Sequence, residues 1–150
     1  MDILSIWKKF LKFPGGAYFF SRWIKFSIPY TGSVSPRVLR LEAGFVVVQM
    51  KDCRAYRNHL SSLHAIALAN LAEFSSGLAL VTAVPPNARA ILKSITIEYI
   101  KKARGTVIAE SKHSPISVNE KREYTVEATI KNQQGELLCR SKALWLVGPK

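Results

Sequence analysis

Cysteines, acidic side chains and short catalytic motifs are all scarce in this 150-residue sequence. Its two cysteines, Cys53 and Cys139, are too few for the disulfide framework of a small secreted domain, and no spacing of metal ligands surrounds them. The GxSxG elbow, the Walker loop, the HExxH zinc motif and the GxGxxG dinucleotide fingerprint are also missing. We therefore expect a reducing compartment, no bound metal and no cofactor.

The N-terminus lacks the features of a signal peptide. Such a peptide places its basic residues before a continuous apolar run, whereas Lys8, Lys9 and Lys12 interrupt the apolar residues here. The sequence thus indicates a cytoplasmic protein. Its length fits one domain over residues 1–150, and an apolar fraction of 48% is enough for a core.

Acidic residues are few: 10, against 22 lysines and arginines, which gives a formal net charge of +12. Such a charge favours anionic partners such as nucleic acid, anionic lipid or a phosphorylated small molecule. The basic residues are scattered and match no nucleic-acid-binding module, so we do not expect nucleic acid. Alternatively, the charge only keeps the protein soluble.

The most informative stretch, from Leu63 to Val84, contains almost nothing but Ala, Leu, Ile and small residues. A helix that is apolar nearly all round is normally buried. We expect Ser61 or Ser62 to cap its start, and Pro85 to end it. Glu73 lies in its middle, where a carboxylate is costly unless it is paired or kept for chemistry.

Residues 2–13 and 16–28 predict two short helices separated by Pro14-Gly15-Gly16, and together they form an N-terminal helical cap over residues 1–30. Their aromatic and basic faces suit either a membrane surface or a cover packed on the domain. We favour the cover, and the membrane contact stays the weaker alternative. We expect four cap side chains to be largely buried: Trp7, Phe19, Phe20 and Trp23. Pro29-Tyr30-Thr31-Gly32 predicts a turn.

The remaining pattern predicts strands at 37–52, 89–101, 105–113, 121–131 and 136–147, with a kink or bulge at Gly44 and a hairpin turn at 132–135. An antiparallel sheet must bury one face, and the long apolar helix is the only candidate to cover it. We therefore predict an α+β hot-dog fold, with a curved antiparallel sheet wrapped around one long central helix. Residues 31–150 form this core.

Three short motifs resemble those of a known family. The sequence from Asn58 to Ala65, NHLSSLHA, is followed by Glu73 in the helix, and PGG and PYTG occur upstream at 14–16 and 29–32. These motifs resemble the hot-dog thioesterases of the phenylacetate-pathway (PaaI-like) type, and most of all the branch known as DUF4442. The resemblance implies hydrolysis of an acyl thioester, usually of coenzyme A, with no cofactor beyond the coenzyme A of the substrate.

The resemblance also implies roles for the matching residues. Glu73 matches the helix carboxylate, which acts as nucleophile or as general base for a water. Asn58 matches the loop amide that orients this water or the substrate, the Ala65 N–H matches the oxyanion donor, and His64 matches the loop histidine. This chain departs from the family at Ala65, where Gly is common, and we expect the extra methyl group to narrow the approach of the thioester carbonyl.

The spacing of these residues has a physical consequence. Ala65 and Glu73 are eight residues apart, which is about 12 Å along one helix, so they cannot both touch one carbonyl. We therefore expect a homodimer or a dimer of dimers, in which Asn58, His64 and Ala65 come from one chain and Glu73 from its partner. Lys101, Lys102 and Arg104 either capture the phosphates of coenzyme A or form a solvated strand end.

Two alternative functions stay open. The first is a non-enzymatic module that holds an acyl chain or lipid without cleaving anything. The second is an acyl-thioester dehydratase, since the spacing of fourteen between His59 and Glu73 resembles that group. The Gly- and Pro-rich loop that follows the dehydratase histidine is missing, because Leu60, Ser61 and Ser62 stand there.

Overall fold

The computed structural model describes residues 2–117 and 120–149 of the chain. The helices are α1 (Ile3–Phe10), α2 (Gly16–Ser27), α3 (Pro29–Gly32) and α4 (Ala65–Ala83), with one 3-10 turn at Arg54–Tyr56. The strands are β1 (Arg37–Glu42), β2 (Phe45–Met50), β3 (Ala88–Tyr99), β4 (Val107–Lys112), β5 (Arg122–Asn132) and β6 (Leu137–Pro149). The predicted α+β class is confirmed.

The six strands form one antiparallel sheet in the order β1-β2-β4-β5-β6-β3. The predicted hairpin near the C-terminus is confirmed, since β5 pairs with β6 through a turn at Gly135. The two edges of the sheet are β1, of six residues, and β3, of twelve. Because α4 contacts all six strands, the sheet wraps around it, and the predicted hot-dog fold is confirmed.

Helix α4 is the centre of the core. Its length and composition would allow it to cross a membrane, but two-thirds of its most apolar stretch is buried inside the protein. Leu71, Ala79 and Leu80 are completely enclosed. The prediction of a buried central helix is confirmed, because the sheet supplies the apolar surroundings that such a helix needs.

The segment predicted as one kinked strand over 37–52 is instead a hairpin of β1 and β2, so the prediction of a single strand was wrong. Gly44 makes the turn with a φ of 72°, and a Cβ there would lie 2.1 Å from the carbonyl oxygen of His113. Its N–H donates to Oγ1 of Thr82 near the end of α4. An isolated glycine in an apolar run is compatible with a bulge or a turn, and no Asn-Gly or Asp-Gly pair distinguishes the two here.

The N-terminal helices pack on the domain as a cover, as predicted. Trp7, Phe20 and Ile24 are buried, and the Trp7 and Phe20 rings meet edge to face with centroids 4.9 Å apart. Trp23 is half-buried. Phe19 is 53% exposed, so the prediction of its burial was wrong. The reason is geometric: α2 buries only one face, and Phe19 lies on the other.

The PYTG segment forms the short helix α3 rather than the predicted turn. Pro29 occupies its first turn, where the fixed φ of proline suits a helix. The absence of an N–H costs nothing there, because an N–H in the first turn has no acceptor within the helix.

Gly77 in α4 allows a close contact that can be tested. A Cβ at this position would lie 2.9 Å from Cη2 of the Trp145 ring. We expect Gly77→Ala to destabilise the protein by about 1–3 kcal/mol through overpacking, reduced by the better helix propensity of Ala, worth about 1 kcal/mol. Urea denaturation measures the change.

The matched background is Trp145→Phe, which removes the six-membered ring that Gly77 touches. In that background the Gly77→Ala substitution should be close to neutral or stabilising. An equal loss in both backgrounds would show that the contact with Trp145 is not the reason for glycine at this position.

Candidate functional site

The loop between β2 and α4 is tied to the connection that follows β3. Asp52 bridges the two, since its Oδ1 accepts from Nε of Arg57 at 2.8 Å and its Oδ2 accepts from the Gly105 N–H at 2.9 Å. The hydrogen bond from Arg57 is the main reason that the pKa of Asp52 is lowered. The Leu63 N–H donates to the Ala103 carbonyl at 2.8 Å. These bonds place the loop beside the C-terminal end of β3.

Asn58 organises the turn inside this loop. Its Oδ1 accepts from the Leu60 N–H at 2.9 Å, from the Ser62 N–H at 3.3 Å and from the Ser62 hydroxyl at 3.1 Å. Its own N–H donates to the Ser62 carbonyl at 2.8 Å. Across residues 2–117 and 120–149, no hydrogen bond uses its Nδ2. The oxygen of this amide therefore holds the loop, while the NH2 group can donate to a ligand.

His64 is the N-cap of α4. Its Nδ1 accepts from the Ile66 N–H at 3.1 Å, which requires that this nitrogen carries no proton. The expected cap at Ser61 or Ser62 was wrong, because the buried Ser62 hydroxyl bonds to Asn58 instead. A histidine at this position was not anticipated as a cap since Ser, Thr, Asp and Asn are the usual ones.

Ala65 is the first residue of α4, and within the described part of the chain its N–H forms no hydrogen bond. The positive end of the helix dipole lies at this N–H. The Tyr99 hydroxyl donates to the Ala65 carbonyl at 2.8 Å and so joins the end of β3 to the start of α4. Burial raises the pKa of Tyr99, so it remains a neutral donor.

A cleft of about 310 Å³ opens at this helix start. It is lined by Asn58, Leu60, Ser62, Leu63, Ala65, Leu68, Tyr99, Ile100, Lys101, Lys102 and Ala103. Four residues singled out from the sequence therefore share one cleft: Asn58, Ala65, Lys101 and Lys102. The cleft combines an apolar wall, a free N–H at a helix N-terminus and two cations, which suits a ligand with both an apolar and an anionic part.

Two other predicted residues lie outside this lining. His64 lines a separate cavity of about 290 Å³, together with Tyr56 and Asn70. Arg104 donates to the Leu60 carbonyl at 3.4 Å and so holds the rim of the loop. Of the two cleft lysines, Lys101 forms an ion pair with Glu136, whereas Lys102 has no ion pair within the described residues.

Glu73 lies two turns along α4 from the cleft. It is half-buried, and no hydrogen bond or ion pair to its carboxylate is present among the residues that the structure describes. Burial raises its pKa. It shares the less buried face of α4 with Ile66, Ala69, Gly77 and Val81, as their helical spacing requires. A single chain thus leaves this carboxylate partly dry and without a partner among the described residues.

Sequence reasoning missed Tyr99, Leu60 and Ile100 as parts of the cleft. The alternation of β3 predicted only that Tyr99 shares a face with Ile95 and Ile97. Nothing local in the sequence indicates that the end of β3 meets the start of α4, because strand order decides this contact.

The comparisons with known proteins agree with the fold. A protein solved in a genomics project, whose description states no function, is 26% identical with a TM-score of 0.85, and all of both chains is covered. A Pseudomonas aeruginosa protein, described as being of unknown function and as a "Probable Thioesterase", is 24% identical with a TM-score of 0.79 over 89% of this chain and 96% of that one.

A third similar structure is a hypothetical thioesterase from Streptococcus pneumoniae, solved with coenzyme A. It is 18% identical with a TM-score of 0.65, over 77% of this chain and 90% of that one. No curated protein matches the sequence. The model of one family matches residues 16–147, which is nearly the whole chain and runs from the start of α2 into β6. The chain therefore belongs to the family described as the domain of unknown function DUF4442.

Proposed function

We propose that this protein hydrolyses acyl thioesters of coenzyme A. The observation that carries the proposal is the cleft at the start of α4, where the free Ala65 N–H lies beside Asn58 and the cations of Lys101 and Lys102. A thioester carbonyl bound against the N–H gains stabilisation for the oxyanion that develops on it. The Streptococcus pneumoniae thioesterase with coenzyme A supports this substrate class.

The proposed site is completed by a second subunit. Glu73 is about 12 Å along α4 from Ala65, so the carboxylate of the same chain cannot reach a carbonyl held at that N–H. Its helix face is the one that the chain leaves least covered, and β3 is a twelve-residue edge with an exposed Ile91. A two-fold dimer through β3 and this face of α4 would bring each Glu73 toward the other chain's cleft.

The chemistry follows from this arrangement. Glu73, as general base, takes a proton from a water while the water oxygen bonds to the thioester carbon. The carbonyl oxygen becomes an oxyanion at the Ala65 N–H. Its collapse breaks the carbon–sulfur bond, and the thiolate leaves and takes up the proton. Direct attack by the Glu73 carboxylate on the carbon is the alternative first step, followed by hydrolysis of the resulting anhydride.

Glu73→Gln is the first test. The amide keeps the size but cannot accept the proton, so we expect kcat for acyl-CoA hydrolysis to fall by about 100-fold or more, with acyl-CoA still bound.

Because burial raises the pKa of Glu73, the folded state favours its protonated form, and an ionised Glu73 reduces stability as pH rises. The Gln variant should therefore have an equal or higher Tm at neutral pH. As the pH is lowered, Glu73 takes up a proton and the wild-type rate should fall. This fall should occur at a higher pH than the usual pKa of a glutamate, because the pKa of Glu73 is raised.

Mixed dimers provide the control for a shared site. Glu73→Gln and Asn58→Asp chains, each inactive alone, would combine into heterodimers with one intact site and one doubly altered site. Random mixing predicts recovery of about a quarter of the wild-type activity. A stable monomer in light scattering, or full activity of the Gln variant, would contradict the shared-site proposal. Tight binding of acyl-CoA by a wild type that releases no thiol would favour the acyl-binding module.

Two substitutions of Asn58 distinguish its role in holding the loop from its proposed role in the reaction. Asn58→Asp keeps the Oδ acceptors for Leu60 and Ser62 but loses the NH2 donor. We expect it to fold normally and to lose most of kcat. Asn58→Ala removes the acceptors too and should cost about 1–3 kcal/mol of stability, because the buried Ser62 hydroxyl loses its partner. If the Asp variant kept wild-type kcat, the amide would serve only the loop.

Lys102 is the cleft cation best placed to bind a phosphate, because Lys101 already pairs with Glu136. Lys102→Glu should raise KM for acyl-CoA roughly three- to tenfold at low salt, and the effect should shrink as ionic strength rises. The same acyl group on N-acetylcysteamine, which has no phosphate, should react unchanged. The matched control Lys131→Glu changes the same charge on β5, and a similar rise in KM there would exclude a local role for Lys102.

A further inference from the structure

Helix α2 and the connection that precedes it carry four exposed aromatic side chains, which we call the aromatic patch: Phe13, Tyr18, Phe19 and Phe26. Phe13 and Phe26 are 69% and 68% exposed, values unusual for phenylalanine in a packed domain. The patch lies on the face of α2 opposite to the buried Phe20 and Ile24, so α2 is apolar on both sides.

The members of the patch are contiguous. Phe13 and Phe19 border an almost wholly apolar groove of about 420 Å³ that also includes Lys9. The rings of Tyr18 and Phe19 meet edge to face at 5.5 Å. The Arg22 guanidinium carbon lies 6.0 Å from the Tyr18 centroid and 5.4 Å from the Phe26 centroid. One continuous surface of rings therefore extends from the α1–α2 connection to the end of α2, with a cation inside it.

Positive charge surrounds this surface. The helical cap over residues 1–30 contains five lysines and arginines and one acidic residue, Asp2, so it carries a formal charge of +4. Lys9, Lys12 and Lys25 are exposed, and Lys9 lines the groove together with Phe13 and Phe19. Asp2 is engaged at the start of α1, where it accepts from the Leu4 and Ser5 N–H groups.

The combination of exposed rings and basic side chains selects the partner. A second copy docked on this patch by a two-fold axis would bring two sets of these cations together, which opposes association. An anionic bilayer can bind both features at once. The rings insert at the depth of the head groups, while lysine and arginine bind the lipid phosphates. We propose that the aromatic patch and its basic rim are a docking surface for anionic membranes. The proposal holds whether or not the cleft hydrolyses thioesters.

Sedimentation with lipid vesicles tests the proposal on the full chain. The wild type should bind vesicles of phosphatidylcholine with one third phosphatidylglycerol, and bind poorly to phosphatidylcholine alone. Each basic residue near an anionic surface contributes about 1 kcal/mol, or about fivefold in partitioning. Lys9→Glu with Lys12→Glu should therefore weaken binding by about 25-fold or more. Phe19→Ser with Phe26→Ser should weaken vesicle binding by at least tenfold. Phe19→Trp with Phe26→Trp keeps aromatic rings at both positions and should bind as well as the wild type.

The matched control is Lys112→Glu with Lys131→Glu, which makes the same change in net charge on β4 and β5. It should retain most of the binding, and each variant should keep the wild-type Tm, because all the altered side chains are exposed. An equal loss in this control would overturn the proposal in favour of a diffuse charge effect. So would absence of binding to anionic vesicles, or a drop in oligomer size on Phe19→Ser with Phe26→Ser, which would identify the patch as an interface between copies.

Discussion

The burial of α4 is the constraint on which the rest of this structure depends. A helix that is apolar on nearly every side needs cover on every side, and one flat sheet could supply only half of it. The sheet therefore curves until all six strands touch the helix. The N-terminal cap closes part of the remaining opening and buries its own Trp7 and Phe20 there. Only the face that carries Glu73 is left without full cover.

The same constraint produces the cleft. Since most of α4 is enclosed and its internal backbone groups bond to one another, its ends are the places where backbone groups can meet a ligand, and the start is the end with free N–H groups. Asn58, His64 and Tyr99 each fix this start by a hydrogen bond and leave the Ala65 N–H open. Asn58 uses only its amide oxygen to stabilise the loop, so the same residue keeps an NH2 group that can serve a reaction.

Features that are determined by nearby residues in the sequence could be predicted, and features that depend on the order of the strands could not. The composition of α4 and the alternation in β5 and β6 fix those elements without reference to the rest of the chain. The spacing from Asn58 to Ala65 likewise located one side of the cleft. The place of Tyr99 in the cleft and the exposure of Phe19 depend on which elements become neighbours. The role of Gly44 depends on whether the chain reverses direction there. An apolar pattern alone cannot state these outcomes.

The unequal edges of the sheet limit how far copies of this chain can join. Edge strands invite pairing with further chains, and unrestricted pairing of one edge with the other builds fibres. Here β1 has six residues and β3 has twelve, so β3 of one copy finds a partner of full length only in β3 of another. Pairing of that kind uses up both long edges in one step and leaves two short ones outside. In the proposed dimer through β3, further growth would have only these short edges to use, so the asymmetry of the edges would disfavour polymerisation.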